Sequence, residues 1–250
     1  QKVSKIFHIA DIHIRNLKRH QEYREVFQRL FETILREKDE NSIICLLGDI
    51  VHSKTDISPE CVQLQVELYR GLANICPLIV ITGNHDCNLS NPSRLDSLGP
   101  VINALNHPNI FYWKDTGVYQ LADITFSVMS VFDKKDKYIP ANQIDGNTKI
   151  AMFHGAVNTA KTEIGYEISD RNHTTDLFTG FDITLLGDIH LPAQFLNEEK
   201  TIAYVGSISQ QNHGEGLEHG ILVWDVPKRT AEFIAIPNDY GYYTITIKDN

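Results

Sequence analysis

Acidic, amide and imidazole side chains that could bind metal ions follow apolar runs at several places in this sequence of 250 residues. Four such stretches are IFHIADIHI (6–14), IICLLGDIVH (43–52), LIVITGNHD (78–86) and TLLGDIHLP (184–192). A fifth apolar run ends in MFHG, with its histidine at position 154. Rigid backbone at a strand end fixes such side chains, while the adjoining loops leave coordination positions open. The pattern predicts that these strand ends converge on one metal-binding cleft.

The types of these side chains indicate hard divalent cations. The candidate residues combine carboxylate, amide and imidazole groups: Asp11, His13, Asp49, Asn84, His85, Asp86, His154, Asp188 and His190. Structural zinc prefers closed sets of Cys and His, whereas mixed oxygen and nitrogen ligands suit two ions of the manganese type. For Asp188 an alternative stays open, because an acid at this place can also cap a turn.

The elements that must position these side chains follow from the spacing of the apolar residues. Short β-rich runs alternate with helical patterns, which predicts an α/β fold in which a layered β-sandwich is flanked by helices. Within 20–38 the apolar residues recur at i, i+3, i+4 and i+7, which indicates an amphipathic helix packed on a sheet. After Lys149 the pattern shifts towards strands, and the polar stretch 133–148 is predicted to be a loop.

Two further helices are predicted over 58–74 and 93–105, with Pro59 in the first turn of one and Gly99-Pro100 interrupting the other. The apolar residues of these helices spread over more than one face. Two interpretations stay open. Either the helices form a homodimer contact, or both are buried within one chain.

The bulk composition excludes some classes of protein. There is no secretory signal and no apolar stretch long enough to span a bilayer, so no membrane association is expected. The four cysteines show no CxxC spacing, which favours reduced thiols and an intracellular compartment: the cytoplasm, or the nucleus in a eukaryote. A net charge of −9 argues against a broadly basic surface for nucleic acid. It does not exclude a nuclease, because metal ions can supply local positive charge.

The order and spacing of the motifs resemble those of the calcineurin-like metallophosphoesterases. The motifs are DxH at 11–13, GDxxH at 48–52, GNHD at 83–86, His-Gly at 154–155 and a final GxxH at 187–190. A DxH alone would be a weak signal, whereas the whole set in this order is specific. The resemblance implies the fold of that family and metal-dependent hydrolysis of phosphate esters.

A finer resemblance is to the SbcD type, the nuclease subunit of a DNA double-strand-break repair complex. Three stretches carry it: GDIVHSKTDISPE (48–60), AYVGSISQQNHGEGLEHGILVWDV (203–226) and FIAIPNDYGYYTI (233–245). The similarity covers nearly the whole chain. It implies a nuclease domain over 1–235, followed over 236–250 by the start of a truncated cap domain that contacts DNA.

Carried over position by position, the resemblance implies a site for two manganese or magnesium ions. One ion is held by Asp11, His13, Asp49 and His190. The second ion shares Asp49 and is also held by Asn84, His154 and Asp188. The family usually has His where this chain has Asp188, and Asp remains a competent oxygen ligand. His85 is expected beside the scissile phosphate, oriented by Asp86. His52 is either a group on the substrate side or a structural histidine.

The implied activity is that of a Mn-dependent DNA nuclease acting at or near DNA ends, as a homodimer with an SbcC-type coiled-coil ATPase. The basic residues Arg15, Lys18 and Arg19 follow the first motif, and they either grip DNA phosphates or form a solvated surface. Two alternatives are a stand-alone phosphoesterase acting on nucleotides or phosphoproteins, and a weakly catalytic scaffold. The features after residue 200 favour the nuclease, and the intact His85 argues against the scaffold.

Overall fold

The computed structural model describes residues 2–247, which form three α-helices and twelve β-strands. The first part of the chain contains β1 (Lys5–Ile9), α1 (His20–Glu37), β2 (Ser42–Leu47), α2 (Pro59–Ile75), β3 (Leu78–Ile81), α3 (Gly99–Leu105) and β4 (Ile110–Tyr112). The second part contains β5 (Gly117–Leu121), β6 (Ile124–Met129), β7 (Thr148–His154), β8 (Ile183–Gly187), β9 (Gln194–Phe195), β10 (Ile202–Tyr204), β11 (Gly220–Asp225) and β12 (Thr230–Ala235). The predicted polar loop before β7 contains two single 3-10 turns.

The strands form two six-stranded sheets, with the orders β12-β11-β1-β2-β3-β4 and β5-β6-β7-β8-β10-β9. Strands β1 to β4 run parallel in the first sheet, as do β6, β7, β8 and β10 in the second. The other strands pair antiparallel towards the sheet edges. Because parallel strands end at the same edge of a sheet, this topology collects the strand-end motifs there.

Strand β2 is buried on both faces and shows how the layers are built. Ile44 and Leu46 belong to the apolar cluster between the first sheet and the helices. Ile43, Cys45 and Leu47 belong to the cluster between the two sheets. A third cluster covers the outer face of the second sheet. The layered α/β sandwich predicted from the sequence is confirmed.

The first two helices begin and end close to their predicted limits. α1 buries Tyr23, Val26 and Phe27 against the first sheet and packs beside α2. α2 begins after Ser58, whose hydroxyl accepts a hydrogen bond from the N–H of Cys61 at 3.2 Å, as an N-cap residue does. Among the described residues, no helix combines the length and the apolar character needed to cross a membrane.

The third helix is shorter than predicted: it spans Gly99–Leu105 and does not extend back to Ser93. The side chain of Asp96 accepts hydrogen bonds from the N–H groups of Leu98 and Gly99, at 2.9 and 2.7 Å. The backbone turn that these bonds close ends where Pro100 begins the helix, because proline suits a first helical turn but not a helix interior.

The apolar residues of α2 are covered within this chain. Leu64, Leu68 and Leu72 are fully buried, and Val62 and Val66 are half-buried against the same apolar cluster. Packing within the chain therefore accounts for the broad apolar surface of this helix. The homodimer contact stays a prediction.

After β12 the chain runs back along α1 without regular secondary structure. The side chain of Asn238 donates to Glu22 at 2.8 Å, and the Tyr240 hydroxyl donates to Glu25 at 3.1 Å. These contacts hold Asn238 and Tyr240 against α1. The assignment of 236–250 to a cap domain stays a prediction, and the last three residues of this segment lie outside the described residues.

Candidate metal centre

The loops that follow the parallel strands are joined by backbone hydrogen bonds. The N–H of Asp11 donates to the carbonyl of Gly48 at 3.1 Å, and the N–H of His13 donates to the carbonyl of Asp49 at 2.9 Å. The N–H of Asp188, after β8, donates to the carboxylate of Asp11 at 3.1 Å. Side chains from the ends of both sheets are thereby held against each other.

Four candidate ligands have an unusual backbone. Asp11, His13 and Asp49 have φ angles of 53°, 51° and 52°, and Asp188 has a φ of 104°. Residues other than glycine rarely adopt positive φ angles. Each residue held in this conformation costs about 1–3 kcal/mol of folding free energy. Strain of this kind persists only where the surrounding structure enforces it, and it concentrates at functional sites.

Glycines allow the strand ends to approach closely. A Cβ atom on Gly83 would lie 2.2 Å from Oδ1 of Asp49. A Cβ atom on Gly48, whose φ is +78°, would lie 2.7 Å from Nδ1 of His154. A side chain at either position would therefore displace a candidate ligand, which explains the glycines in the GDxxH and GNHD motifs.

One group of candidate ligands gathers around His13. Its Nε2 lies 3.0 Å from Nε2 of His190, 3.8 Å from Oδ1 of Asp11 and 3.7 Å from Oδ2 of Asp49. Two imidazole nitrogens at 3.0 Å have the separation of neighbouring ligands on one metal ion. These four residues form what we call the first cluster.

A second cluster gathers around His154. Its Nε2 lies 3.1 Å from Oδ1 of Asn84, 3.3 Å from Oδ1 of Asp49 and 3.8 Å from Oδ1 of Asp188. Asp49 thus directs one carboxylate oxygen to each cluster, so it is placed to bridge two ions. The sequence-predicted division of the ligands between two ions matches this geometry.

Contacts at the Nδ1 atoms of His154 and His190 orient their imidazole rings. His154 donates from Nδ1 to the carbonyl of Leu47 at 2.6 Å, which leaves Nε2 as the ligand atom. Nδ1 of His190 lies 2.9 Å from Oε1 of Glu215. Such partners fix the tautomer and the direction of a ligand histidine. Sequence reasoning missed Glu215, and its position in the turn between β10 and β11 gave no local signal of this contact.

The clustered carboxylates raise the pKa values of neighbouring imidazoles. Burial raises the pKa of Asp11 to about 7. Burial disfavours the charged form of His154, but the neighbouring Asp49 carboxylate outweighs it and raises the pKa of this imidazole well above its usual value. Burial likewise opposes the charged form of His190, but the hydrogen bond to Glu215 and the charge of Asp11 raise its pKa to about 9. Bound metal ions would displace these protons.

The residues present fit a pair of divalent cations. Among the described residues, four groups of acidic and imidazole side chains have ligand atoms close enough to share an ion, and two of these groups together contain Asp11, His13, Asp49, His154 and His190. The buried ligand set is oxygen-rich, and it contains no thiolate, which suits manganese or magnesium. The ligand roles of the individual residues, Asp188 included, stay predictions.

His85 and His52 stand side by side next to the first cluster. Their rings are stacked with centroids 5.4 Å apart, and His13 meets the ring of His85 edge-on at 5.0 Å. Nδ1 of His85 donates to the backbone carbonyl of His52 at 2.8 Å. Within residues 2–247 the Nε2 atom of His85 has no protein partner, so it is free to meet a substrate. His52 thus has a structural role through its backbone, and its imidazole lies close enough to contact substrate as well.

The orienting role predicted for Asp86 is wrong. Its fully buried carboxylate accepts from the N–H groups of Ile50 and Val51, at 2.8 and 3.0 Å, and from that of Gly83 at 2.8 Å. The partner that orients His85 is a backbone carbonyl instead. Asp86 holds the loops after β2 and β3 together, and so acts on the site through the position of the backbone.

Arg19 is paired within the chain, although its Nη1 atom has no partner among the described residues, and its contact with DNA stays a prediction. Its guanidinium makes two hydrogen bonds of 2.7 Å to the carboxylate of Glu22, with only 10% of the side chain exposed. Arg15 and Lys18 differ, because neither forms an ion pair among the described residues. Burial and the positive charge of Arg15 lower the pKa of His52 to about 4, with a smaller effect from Lys18. Arg15 and Lys18 therefore lie near His52, and the contact of either residue with DNA stays a prediction.

Residues 4–192 match the family model of the calcineurin-like phosphoesterases, and the chain belongs to this family. Its two mixed sheets with flanking helices have the architecture expected for such a fold. Membership implies a metal-dependent hydrolase of phosphate esters, in agreement with the clustered ligands.

Three relatives place the chain within this family. It is 44% identical over 261 residues to an uncharacterized protein of Acanthamoeba polyphaga mimivirus, which covers 99% of this chain and 19% of that protein. It is 24% identical over 228 residues to the DNA double-strand break repair protein Mre11 of Archaeoglobus fulgidus, covering 82% of this chain and 50% of that protein. It is also 24% identical over 206 residues to the "Putative phosphoesterase 244L" of Invertebrate iridescent virus 6. This match covers 80% of this chain and 70% of that protein. The chain spans about a fifth of the length of the mimivirus protein and about half of the length of the archaeal Mre11.

Proposed function

We propose that this protein is a DNA nuclease that hydrolyses phosphodiester bonds at or near DNA ends with two divalent cations, manganese or magnesium. The observation that carries the proposal is the placement of His85: a fixed imidazole stands beside two ligand clusters that share Asp49. The motifs and the stretch 203–226 resemble the SbcD type, and the 24% identity to an archaeal Mre11 supports the same substrate class.

One set of residues would hold the metal ions, and another residue, His85, would contact the phosphate. The first ion would be held by Asp11, His13, Asp49 and His190. The second would be held by Asp49, Asn84, His154 and Asp188. When bound, the ions supply activation of water and neutralisation of charge on the phosphodiester.

His85 handles the phosphate itself. The carbonyl of His52 fixes its Nδ1 as a donor, so Nε2 points away from that contact and towards the substrate side. With a proton on both ring nitrogens, it would stabilise the transition state through its Nε2–H or pass that proton to the leaving oxygen. The backbone amide of His85 also donates to Oδ1 of Asp49 at 2.8 Å, which ties the position of the imidazole to the bridging ligand.

The test compares four substrates with manganese and with magnesium: end-labelled linear DNA, circular DNA, a nitrophenyl phosphodiester and a nitrophenyl phosphomonoester. A nuclease that acts at ends degrades the linear DNA and the diester, and leaves the circle. Hydrolysis of the monoester with no attack on DNA would instead assign a stand-alone phosphoesterase acting on nucleotides or phosphoproteins. Binding of DNA with no hydrolysis of any substrate would assign a scaffold.

The partner proposals rest on the same resemblance. An SbcC-type coiled-coil ATPase and a second copy of this chain are the expected partners of an SbcD-like nuclease. Sedimentation over micromolar concentrations tests the homodimer directly. Because Leu68 is fully buried within the chain, a substitution there would unfold the protein and could not report on the dimer. The half-buried Val62 and Val66 are the better sites for a charged substitution.

A further inference from the structure

A groove opens beside the second cluster. Its first part, of about 280 Å³, is lined by the candidate ligands Asn84, His154 and Asp188, and also by Asp170 and His173. An adjoining depression is lined by Asp133, Lys134, Lys135, Asp136, Asn172 and His173. His173 and Asp133 line both parts. Because the two depressions share these two residues, they adjoin each other, and together they are here called the side groove.

His173 is held in this groove by its neighbours. Its Nδ1 lies 2.9 Å from Oδ2 of Asp170, and the other oxygen of that carboxylate accepts from the N–H of Asn172 at 2.7 Å. One face of the ring packs on Phe153, with the centroids 5.3 Å apart. Within residues 2–247 the Nε2 atom has no protein partner. A histidine fixed at Nδ1 with a free Nε2 in a groove is arranged to contact a ligand.

The far end of the side groove carries unpaired positive charge in a chain with a net charge of −9. Lys137 pairs with Asp133 at 2.9 Å. Lys134 and Lys135 are exposed, and neither forms an ion pair among residues 2–247. The segment 133–137 therefore presents two free ammonium groups beside a single unpaired acid, Asp136.

We propose that the side groove binds the sugar-phosphate backbone of a nucleic-acid strand next to the scissile phosphate. His173 contacts the nearest flanking phosphate from Nε2. Lys134 and Lys135 contact the phosphates beyond it. The ring lies with Nδ1 against the Asp170 carboxylate, so that Nε2 can contact a phosphate oxygen in the groove. A row of cations that starts at a metal centre fits a polymer of regularly spaced phosphates better than a ligand with one phosphate.

This inference rests on the proposed function and specifies its substrate: a strand with several phosphates on one side of the cleaved bond. The test uses the variants Lys134→Ala/Lys135→Ala and His173→Gln. The control is Lys2→Ala/Lys200→Ala, which removes the same charge. Lys2 and Lys200 precede β1 and β10, so they lie at the edge of the sheets opposite to the metal centre.

Affinity for a labelled single-stranded oligonucleotide is measured by fluorescence anisotropy in EDTA, over a range of salt concentrations. The lysine double variant should bind about tenfold more weakly. Because each phosphate contact on a single strand contributes about 0.7 to the slope of log K against log salt, the slope should become shallower by about 1.4. The control double variant should match the wild type. Equal affinity and slope in both double variants would overturn the inference.

Cleavage supplies a second readout, which uses kcat/KM for the oligonucleotide and for a nitrophenyl diester. Both groove variants should lose activity on the oligonucleotide and keep it on the small diester, which has no flanking phosphate for His173 or the lysines to contact. If wild-type protein cleaves DNA and neither variant changes this ratio, the groove inference fails while the proposed function stands. If the wild type hydrolyses the diester but neither cleaves nor binds DNA, the proposed function fails with it. Lysine-dependent hydrolysis of a phosphopeptide in place of DNA would also overturn the inference.

Discussion

Oε1 of Glu215 lies 2.9 Å from Nδ1 of His190, although 25 residues separate them in the chain. The Glu215 side chain is fully buried, and its second oxygen accepts from the N–H of Gln211 at 2.7 Å. The turn between β10 and β11 thereby holds the imidazole of His190 with its Nε2 towards the first cluster. A carboxylate behind a ligand histidine raises the basicity of the ligand and fixes its direction.

Glu215→Gln should lower the affinity for manganese by about 10- to 100-fold, because removal of such a partner typically costs that factor. Isothermal titration of the metal-free protein with manganese measures it. Glu218→Gln, an exposed acid in the same turn, is the matched control and should bind as the wild type does. Unchanged affinity in the Glu215 variant would show that His190 binds no ion.

His85→Ala should reduce phosphodiester cleavage by about 10²–10⁴-fold and leave both metal ions bound, because the proposed role of His85 is at the phosphate. The ratio of manganese to protein after gel filtration and kcat on DNA are the two measurements. His213→Ala, at an exposed histidine, serves as the control. Loss of an ion together with activity would instead make His85 a ligand.

Asp188→His should weaken manganese binding by about tenfold, since a neutral imidazole replaces one of three carboxylates around two divalent ions. The fold should be kept, because the hydrogen bond from the Asp188 N–H to Asp11 uses the backbone. Asp188→Asn separates the loss of charge from the gain of an imidazole. Tighter manganese binding by the histidine variant would mean that Asp188 caps a turn and holds no ion.

Asp86→Ala should lower the free energy of unfolding by about 3 kcal/mol or more, because three buried N–H groups lose their acceptor. Urea denaturation of the metal-free protein measures this without a contribution from bound ions. Asp96→Ala, which frees the N–H groups of Leu98 and Gly99 and also breaks the ion pair with Lys114 at 3.0 Å, is the comparison at a second buried carboxylate. If the Asp86 variant were as stable as the wild type but cleaved slowly, Asp86 would have a catalytic role.

Arg19→Ala should destabilise the fold by about 3 kcal/mol, because it leaves the buried Glu22 carboxylate without its partner. DNA affinity should not change. Lys18→Ala should do the opposite: it should weaken DNA binding and leave the urea midpoint unchanged. Weaker DNA binding by a stably folded Arg19 variant would contradict the structural role of that residue.

The sequence by itself determined the α/β class, the limits of α1 and α2, and the motifs at the strand ends. Helical periodicity and strand-end motifs are local properties, since they depend on residues within a few positions of each other. The convergence of these motifs also followed, because parallel strands end at one edge. The division of ligands between two clusters came from resemblance to a family, and the measured distances around Asp49 agree with it.

Only the tertiary structure decided which partner each polar side chain takes. Asp86 accepts from the backbone of the loop after β2, Arg19 donates to the carbonyl of Gln210, and Glu215 contacts His190 across 25 residues. Local sequence cannot predict these contacts, because a hydrogen bond between distant segments depends on how their loops approach within an ångström. The same limit applies to the side groove. Its lining brings together the segments 133–136 and 172–173, which lie far apart in the sequence.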